Sequence, residues 1–244
     1  MIFVNSRFKD LVLYADKVKP IDYFKPSVYS AFSPFGTSSA PAMMVKDVRK
    51  TIWIDLEKTE DDILMGFKSN TRNEVRKAIR EGYTVEEVSD MSVFVDFYNA
   101  FAREKNLGEI NINALNKFPK VLVYQSSFEG RPLTMHANIV DERNKIIRLL
   151  YSASVRFDEG VDRKSVGLSN RFLHYAEFLK FKGLGYRIYD FGGINEDENN
   201  KEQYNITTFK KGFGGDVKEE IHLSSIAAWL LLKVSIMLSI RSKH

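Results

Sequence analysis

Between Lys120 and Ser154 the chain reads as three successive strands, and this run constrains the fold more than any other feature. KVLVYQSSF, the stretch from Pro132 to Val140, and IIRLLYSAS each alternate apolar and polar residues or run apolar over strand length. Glu129-Gly130 stands where the first two would turn, and Asp141 to Asn144 where the next two would. Strands joined so tightly form an antiparallel meander. A long helical pattern follows from Gly167 to Lys182, then strands at Tyr186 to Phe191 and Val217 to Leu223. Ahead of the meander, TIWIDL alternates as a strand, and Thr59 with Glu60, Asp61 and Asp62 marks the capped start of a short helix. Ser69 to Arg80 reads as a second helix ended near Gly82, YTVEEV as a strand, and Met91 to Glu104 as a helix. The order predicts an α/β (α+β) protein with a mixed, mostly antiparallel sheet flanked by helices, not a doubly wound nucleotide fold.

Composition narrows the chemistry. The 244 residues contain no cysteine, which excludes a disulfide scaffold, a thiol nucleophile and an iron–sulfur cluster. Histidine occurs only at 136, 174, 222 and 244, with no HExxH or HxH spacing, so no metal site is expected. Thirty-six Lys plus Arg against 32 Asp plus Glu leave 36 − 32 = +4, a mild excess that argues against a dedicated nucleic-acid binder. Charges interrupt the apolar residues of the first turns, so no export signal is expected and the chain reads as cytoplasmic.

The two ends differ from the middle. Pro20, Pro26, Pro34 and Pro41 exclude a regular helix in the first fifty residues, and Tyr23, Phe24, Tyr29, Phe32 and Phe35 argue for order. Residues 1–50 are therefore expected to form an aromatic extension packed on a core domain of residues 51–223. In the remaining segment, 224–244, twelve of the seventeen residues from Ser224 to Ile240 are apolar, with Lys233 the only charge before Arg241. That is short of the roughly 20 residues that span a bilayer. A helix lying in the inner membrane interface, its basic end on anionic headgroups, fits this pattern; docking on the sheet or on a second subunit fits it equally.

Four local features carry chemistry. Arg72, Arg76 and Arg80 recur every four residues, forming a basic stripe suited to phosphate. Lys164 to Ser169 lies at a helix start, where backbone N–H groups can receive a pyrophosphate. Within that helix Asn170, His174 and Glu177 share one face, and Arg171 is adjacent. Tyr189-Asp190-Phe191 runs into Gly192-Gly193, and Phe209-Lys210-Lys211 precedes the glycines of GFGG, where a β-bulge is the structural alternative to a pocket lip.

Together these motifs resemble the FemABX-type, peptidoglycan bridge-forming aminoacyltransferases, which are built on the GNAT acyltransferase fold. RLLYSAS, NRFLHYAEFLKFKGLGY, YDFGGIN and FKKGFGGD occur in that family's order and spacing, and the resemblance runs from about Thr51 to Leu223. The length matches the short single-domain members, which are associated with surface polysaccharide synthesis, rather than the two-domain enzymes with a tRNA-contacting arm. The resemblance implies acyl transfer to an amine of a sugar or peptide precursor, one that can be lipid-linked. It implies no tightly bound cofactor, and either aminoacyl-tRNA or acyl-coenzyme A as donor. A coenzyme A-dependent N-acetyltransferase of a nucleotide-linked amino sugar is the enzymatic alternative, and a silent RNA-binding module the alternative of another class.

Without cysteine or a GxSxG elbow, direct attack is the expected route. His136 is the expected general base, from its strand position and its ordinary titration range, with Asp190 as rival base or amine-orienting carboxylate. Lys210, carried over from the family's Phe-Lys pair, is expected to stabilise the oxyanion. Arg72, Arg76, Tyr151, Asn170, Arg171, His174, Tyr189, Gly192, Gly193 and Phe209 are the expected substrate contacts.

Overall fold

The computed structural model describes residues 1–5, 9–156 and 160–241. The strands are β1 (Ile2–Val4), β2 (Asp10–Leu13), β3 (Ser27–Phe32), β4 (Val45–Asp55), β5 (Thr84–Glu87), β6 (Val121–Phe128), β7 (Arg131–Asp141), β8 (Ile146–Ser154), β9 (Ile188–Ile194) and β10 (Asp216–Ser224). The helices are α1 (Glu60–Met65), α2 (Ser69–Glu81), α3 (Met91–Glu104), α4 (Ile112–Asn116), α5 (Arg163–Gly183), α6 (Lys201–Lys211) and α7 (Ile226–Arg241), with a 3-10 turn at Pro20–Tyr23. All ten strands join one sheet in the order β1-β2-β3-β10-β4-β9-β8-β7-β6-β5. Pairing is antiparallel except at β2–β3 and β8–β9. The expected mixed, mostly antiparallel sheet flanked by helices is thus the observed one.

Local chemistry sets the elements as the sequence suggests. The meander turns at Glu129 and Gly130, both with positive φ (51° and 77°), as a two-residue hairpin requires. Thr59 Oγ1 accepts from Asp62 N at 3.1 Å and caps α1, and Gly82, at φ 83°, ends α2.

The first fifty residues are where expectation and structure part. They supply three strands and part of a fourth to the same sheet, so a boundary at residue 50 cuts through β4. The prolines do not interrupt these strands. Pro20 opens the 3-10 turn, Pro26 directly precedes β3, Pro34 follows it, and Pro41 precedes β4. At the other end, Phe209 and Lys210 belong to the last turn of α6, a helix the sequence reading treats as a pocket lip.

The core lies on both faces. On one, Ile52, Ile54, Ile147, Tyr189 and Phe191 pack against Leu173, Phe178 and Phe181 of α5, with Phe67 and Phe213. On the other, Val123, Met135, Ala137 and Ala153 meet Phe94, Tyr98 and Ala102 of α3, while Ile2, Val4, Leu13 and Tyr14 cover Ile139 and Ile146. Phe178 is fully buried, with ring contacts to Tyr189 at 4.8 Å and to Phe191 and Phe213 at 5.9 Å. Phe178→Ala is expected to lower unfolding stability by about 3–5 kcal/mol, read from the urea midpoint at unchanged slope.

Candidate functional site: a cavity where the sheet splits

β8 and β9 pair in parallel only where Ile146–Arg148 meets Ile188–Asp190, yet β8 continues to Ser154 and β9 to Ile194. A bulge accompanies the divergence in each strand. Between Ala137↔Tyr151 and Asn138↔Leu149, β8 carries an extra residue; between Thr51↔Gly193 and Trp53↔Asp190, β9 does. The extra turn of β9 falls at Gly192, whose φ of 72° is one a side chain resists. A cavity of about 650 Å³ fills the gap. Phe101 of α3 and Lys105, just after that helix, wall it on one face, and α5 and α6 on the other.

Of the sequence-predicted residues, Asn170, Arg171, His174, Phe209 and Lys210 line this cavity. Lys210 Nζ donates to the Gly193 carbonyl at 2.8 Å, so the bulged glycines hold the ammonium from behind. Burial pushes its pKa down to about 8; Asp190 opposes that shift and the Arg148 charge adds to it. Arg171 stacks over Phe209 at 5.0 Å and pairs with Glu74 of α2 at 2.9 Å.

Beneath the cavity floor lies a buried polar network. Asn170, His174 and Glu177 project from one face of α5 toward His136 and Asn138 of β7 and Tyr189 of β9. Glu177 Oε2 sits 2.9 Å from His136 Nδ1 and accepts from the Tyr189 hydroxyl at 3.2 Å, and Oε1 accepts from Asn138 Nδ2 at 2.7 Å. The Tyr189 hydroxyl gives its hydrogen to Glu177, so at His174 Nδ1, 3.2 Å away, it acts as acceptor. The hydrogen of neutral His174 is therefore on Nδ1 and the lone pair on Nε2. Burial, then the neighbouring His136, Lys210 and Arg171, push the His174 pKa well below its ordinary value and keep the ring neutral. His136, His174 and Glu177 each bring one ligand atom within 4.8 Å of the others, a grouping that could hold a metal ion. Here each of the three is engaged by a hydrogen bond of the network.

This arrangement corrects the expected general base. His136 is completely buried, with both ring nitrogens occupied by Glu177 and, at 3.2 Å, Asn170. Unlike His174, it does not line the cavity. Asp190 is excluded on similar grounds. Its Oδ1 accepts from Thr51 Oγ1 (2.5 Å) and Gly192 N (2.8 Å), and its Oδ2 from the Tyr14 hydroxyl (2.6 Å) and Arg148 Nη1 (2.8 Å). No lone pair remains for an amine. Tyr189 is likewise fully buried, and Tyr151 packs on Tyr98 at 4.9 Å on the α3 side.

The basic stripe also lies elsewhere. Arg72 Nη1 donates to the carbonyls of Met65 and Phe67 at 3.0 and 3.2 Å, satisfying the end of α1, and neither Arg72 nor Arg76 lines the cavity. The cations at the cavity are Lys105, Arg156, Arg171 and Lys210, against the single acid Glu202, to which Lys105 is ion-paired. Lys105, Arg156 and Glu202 escape sequence reasoning because they come from three elements and match no motif.

The start of α5 holds a further correction. The helix begins at Arg163, one turn before Gly167, and Asp162 caps it by accepting from Lys164 N at 3.1 Å and Ser165 N at 3.2 Å. The amides expected to cradle pyrophosphate are already bonded to a carboxylate.

No family model matches the chain, and no curated protein matches it in sequence. Solved structures do match. The C-terminal domain of a protein assigned as a lysylphosphatidylglycerol synthetase from Agrobacterium fabrum superposes with a TM-score of 0.64 at 15% identity, over 96% of this chain and 84% of that one. FemX gives 0.61 at 16%, over 80% of this chain and 65% of its own, and L-PGS from Bacillus licheniformis gives 0.56 at 13%, over 91% and 79%. These matches, all below 25% identity, show a shared α/β fold. More particularly, it shares the fold of FemX and of these synthetase domains.

The cluster behind Lys210 sets the acid stability. Arg148 Nη1 contacts Glu220 at 2.5 Å as well as Asp190. Burial alone would raise the Glu220 carboxyl, but His222 and Arg148 bring it down to about 2, below its unfolded value. A depressed carboxyl stabilises the fold above the unfolded pKa of about 4.3 and loses that contribution as pH falls toward 2. Urea titrations are therefore expected to show stability falling through that window, with a shallower fall in Glu220→Gln. Arg148→Met leaves two buried carboxylates unpaired and should cost about 3–5 kcal/mol at pH 7.

Proposed function

We propose that the chain is an acyltransferase that moves an aminoacyl or acyl group onto an amine of a surface-polymer precursor, by direct attack within the split-sheet cavity. The observation that carries this reading is the convergence of the Lys210 ammonium and the neutral His174 ring on one cavity. An ester or thioester carbonyl placed there meets a fixed cation where negative charge develops and a lone pair able to take a proton. In the step proposed, the acceptor nitrogen forms the new C–N bond and the carbonyl electrons move onto oxygen, next to Lys210. An N–H proton passes to His174 Nε2, the bond to the leaving oxygen or sulfur breaks, and the imidazolium returns the proton to that atom. Tyr189 and Glu177 hold the ring in the tautomer this needs.

The cavity size suits one sugar or amino-acid unit with its linkage. Four cations against one acid favour a phosphate-bearing substrate, with Arg156 and Arg171 in the role the sequence assigns to Arg72 and Arg76. The Asp162 cap of α5 supports an aminoacyl ester donor over coenzyme A, because its carboxylate repels a pyrophosphate from those amides. FemX and the synthetase domains share the fold on which this reading rests.

The test is transfer of labelled amino acid from charged tRNA, beside acetyl-coenzyme A, to lipid-linked and nucleotide-linked amino sugars. Activity is expected from the charged tRNA, with an alkaline limb near pH 8 as Lys210 loses its proton and an acid limb from His174 displaced below the ordinary imidazole range. Lys210→Met should lower the rate by about 10²-fold or more, and Lys210→Arg should move the alkaline limb upward. His174→Gln should cost about 10²–10⁴-fold with little change in substrate binding. Transfer that is indifferent to both substitutions would place the chemistry elsewhere.

A further inference from the structure

Exposed apolar side chains gather at one end of the sheet. Ser224 lies in register with Val45 of β4 and Val28 of β3, so the end of β10 and the starts of β3 and β4 share an edge. Directly before β3 stand Ile21 and Phe24, 60% and 78% exposed; before β4 stands Met43, also 60% exposed. From β10 itself α7 departs. β8 and β9 run in the same direction as β10, since β4 is antiparallel to both β9 and β10. The cavity therefore opens toward this same end.

Among the described side chains of α7, those tied down lie in its first turn. Ser225 N donates to the Ser27 carbonyl at 2.9 Å, Ser225 Oγ donates to the Lys25 carbonyl at 2.8 Å, and Ala228 is buried. From Trp229 to Val234 every residue is exposed, and all but Lys233 are apolar. Trp229, Leu230, Leu231 and Leu232 follow one another at about 100° per residue, so together they face about 300° of the helix circumference. A partner helix or a second subunit covers one stripe of a helix. An apolar medium covers it all round.

We propose that this end of the sheet docks on a lipid bilayer, α7 inserted into one leaflet with Phe24 and Ile21 beside it and Lys233 and Lys46 reaching the headgroups. Among the described residues no helix is long and apolar enough to cross a membrane, which fits insertion into one leaflet. The basic end expected at Arg241, Lys243 and His244 lies outside the described side chains and is not needed. With so few charges facing the lipid, burial of apolar surface dominates, and binding resists salt. The proposal is independent of the transfer chemistry and gives the cavity a position next to lipid-borne acceptors.

Flotation of the full chain with phosphatidylcholine–phosphatidylglycerol vesicles tests it. The protein is expected to rise with the vesicles in both moderate and high salt, with a blue shift of Trp229 fluorescence that Trp229→Phe abolishes. Leu230→Glu with Leu231→Glu should reduce the floated fraction roughly tenfold or more, at unchanged circular dichroism. Phe24→Glu, at a site so exposed that folding is unaffected, should reduce it severalfold. Three results overturn the proposal: a chain that stays at the bottom of the gradient, substituted chains that float as well as the parent, or a dimer in free solution that the double substitution splits.

Discussion

The contact between Arg148 and Asp190 decides where this sheet stops being a sheet. The two residues are the last register pair of the parallel β8–β9 ladder, and their side chains meet at 2.8 Å on the face away from α5. Up to that pair the strands share hydrogen bonds; past it, a bulge in each turns them apart. Glu220, Tyr14 and Thr51 complete the pair from β10, the N-terminal segment and β4, so five segments agree on one position for the split. A buried charge cluster of this kind adds little net stability compared with an apolar one, but removing one member is severe. Here it specifies geometry.

On the opposite face a second polar group performs a different task. Glu177 gathers His136, Asn138 and Tyr189, and through Tyr189 it fixes His174. Buried polar networks stabilise a unique arrangement only when nearly every donor and acceptor is matched. Asn138 Oδ1 is an unpartnered member of this one, directly under the cavity floor. The cavity floor is thus built largely on buried groups, and both histidines have their surroundings set by neighbours rather than by their own strand or helix.

Much of this was legible in the sequence, for identifiable reasons. The meander, α2, α3 and α5 have strong local periodicity and turn residues with one conformational reading, and their limits agree with the structure within a few residues. Asn170, His174 and Lys210 were found because a helix spacing and a lysine between aromatics survive as local patterns. The strands before residue 50 were not, because short edge strands separated by prolines carry almost no periodicity. His136 and Asp190 were misjudged for another reason. A strand pattern gives the face of a side chain but not what already occupies its hydrogen bonds, and here Glu177, Thr51, Tyr14 and Arg148 arrive from distant parts of the chain. Arg72 shows the same limit, its stripe position intact and its guanidinium turned onto α1.

The place of β10 has a consequence for how the molecule comes into being. This strand, near the end of the chain, is the wedge between β3 and β4, near its beginning. Until residues 216–224 are available, β1 to β3 have no strand pairing to the rest of the sheet, and Arg148 lacks Glu220. Pairings so distant in sequence slow folding, since their loop entropy must be overcome before any contact compensates it. The nascent chain therefore waits with the edges of β3 and β4 open, and β10, the last of the ten described strands, is the one that makes a single sheet out of two.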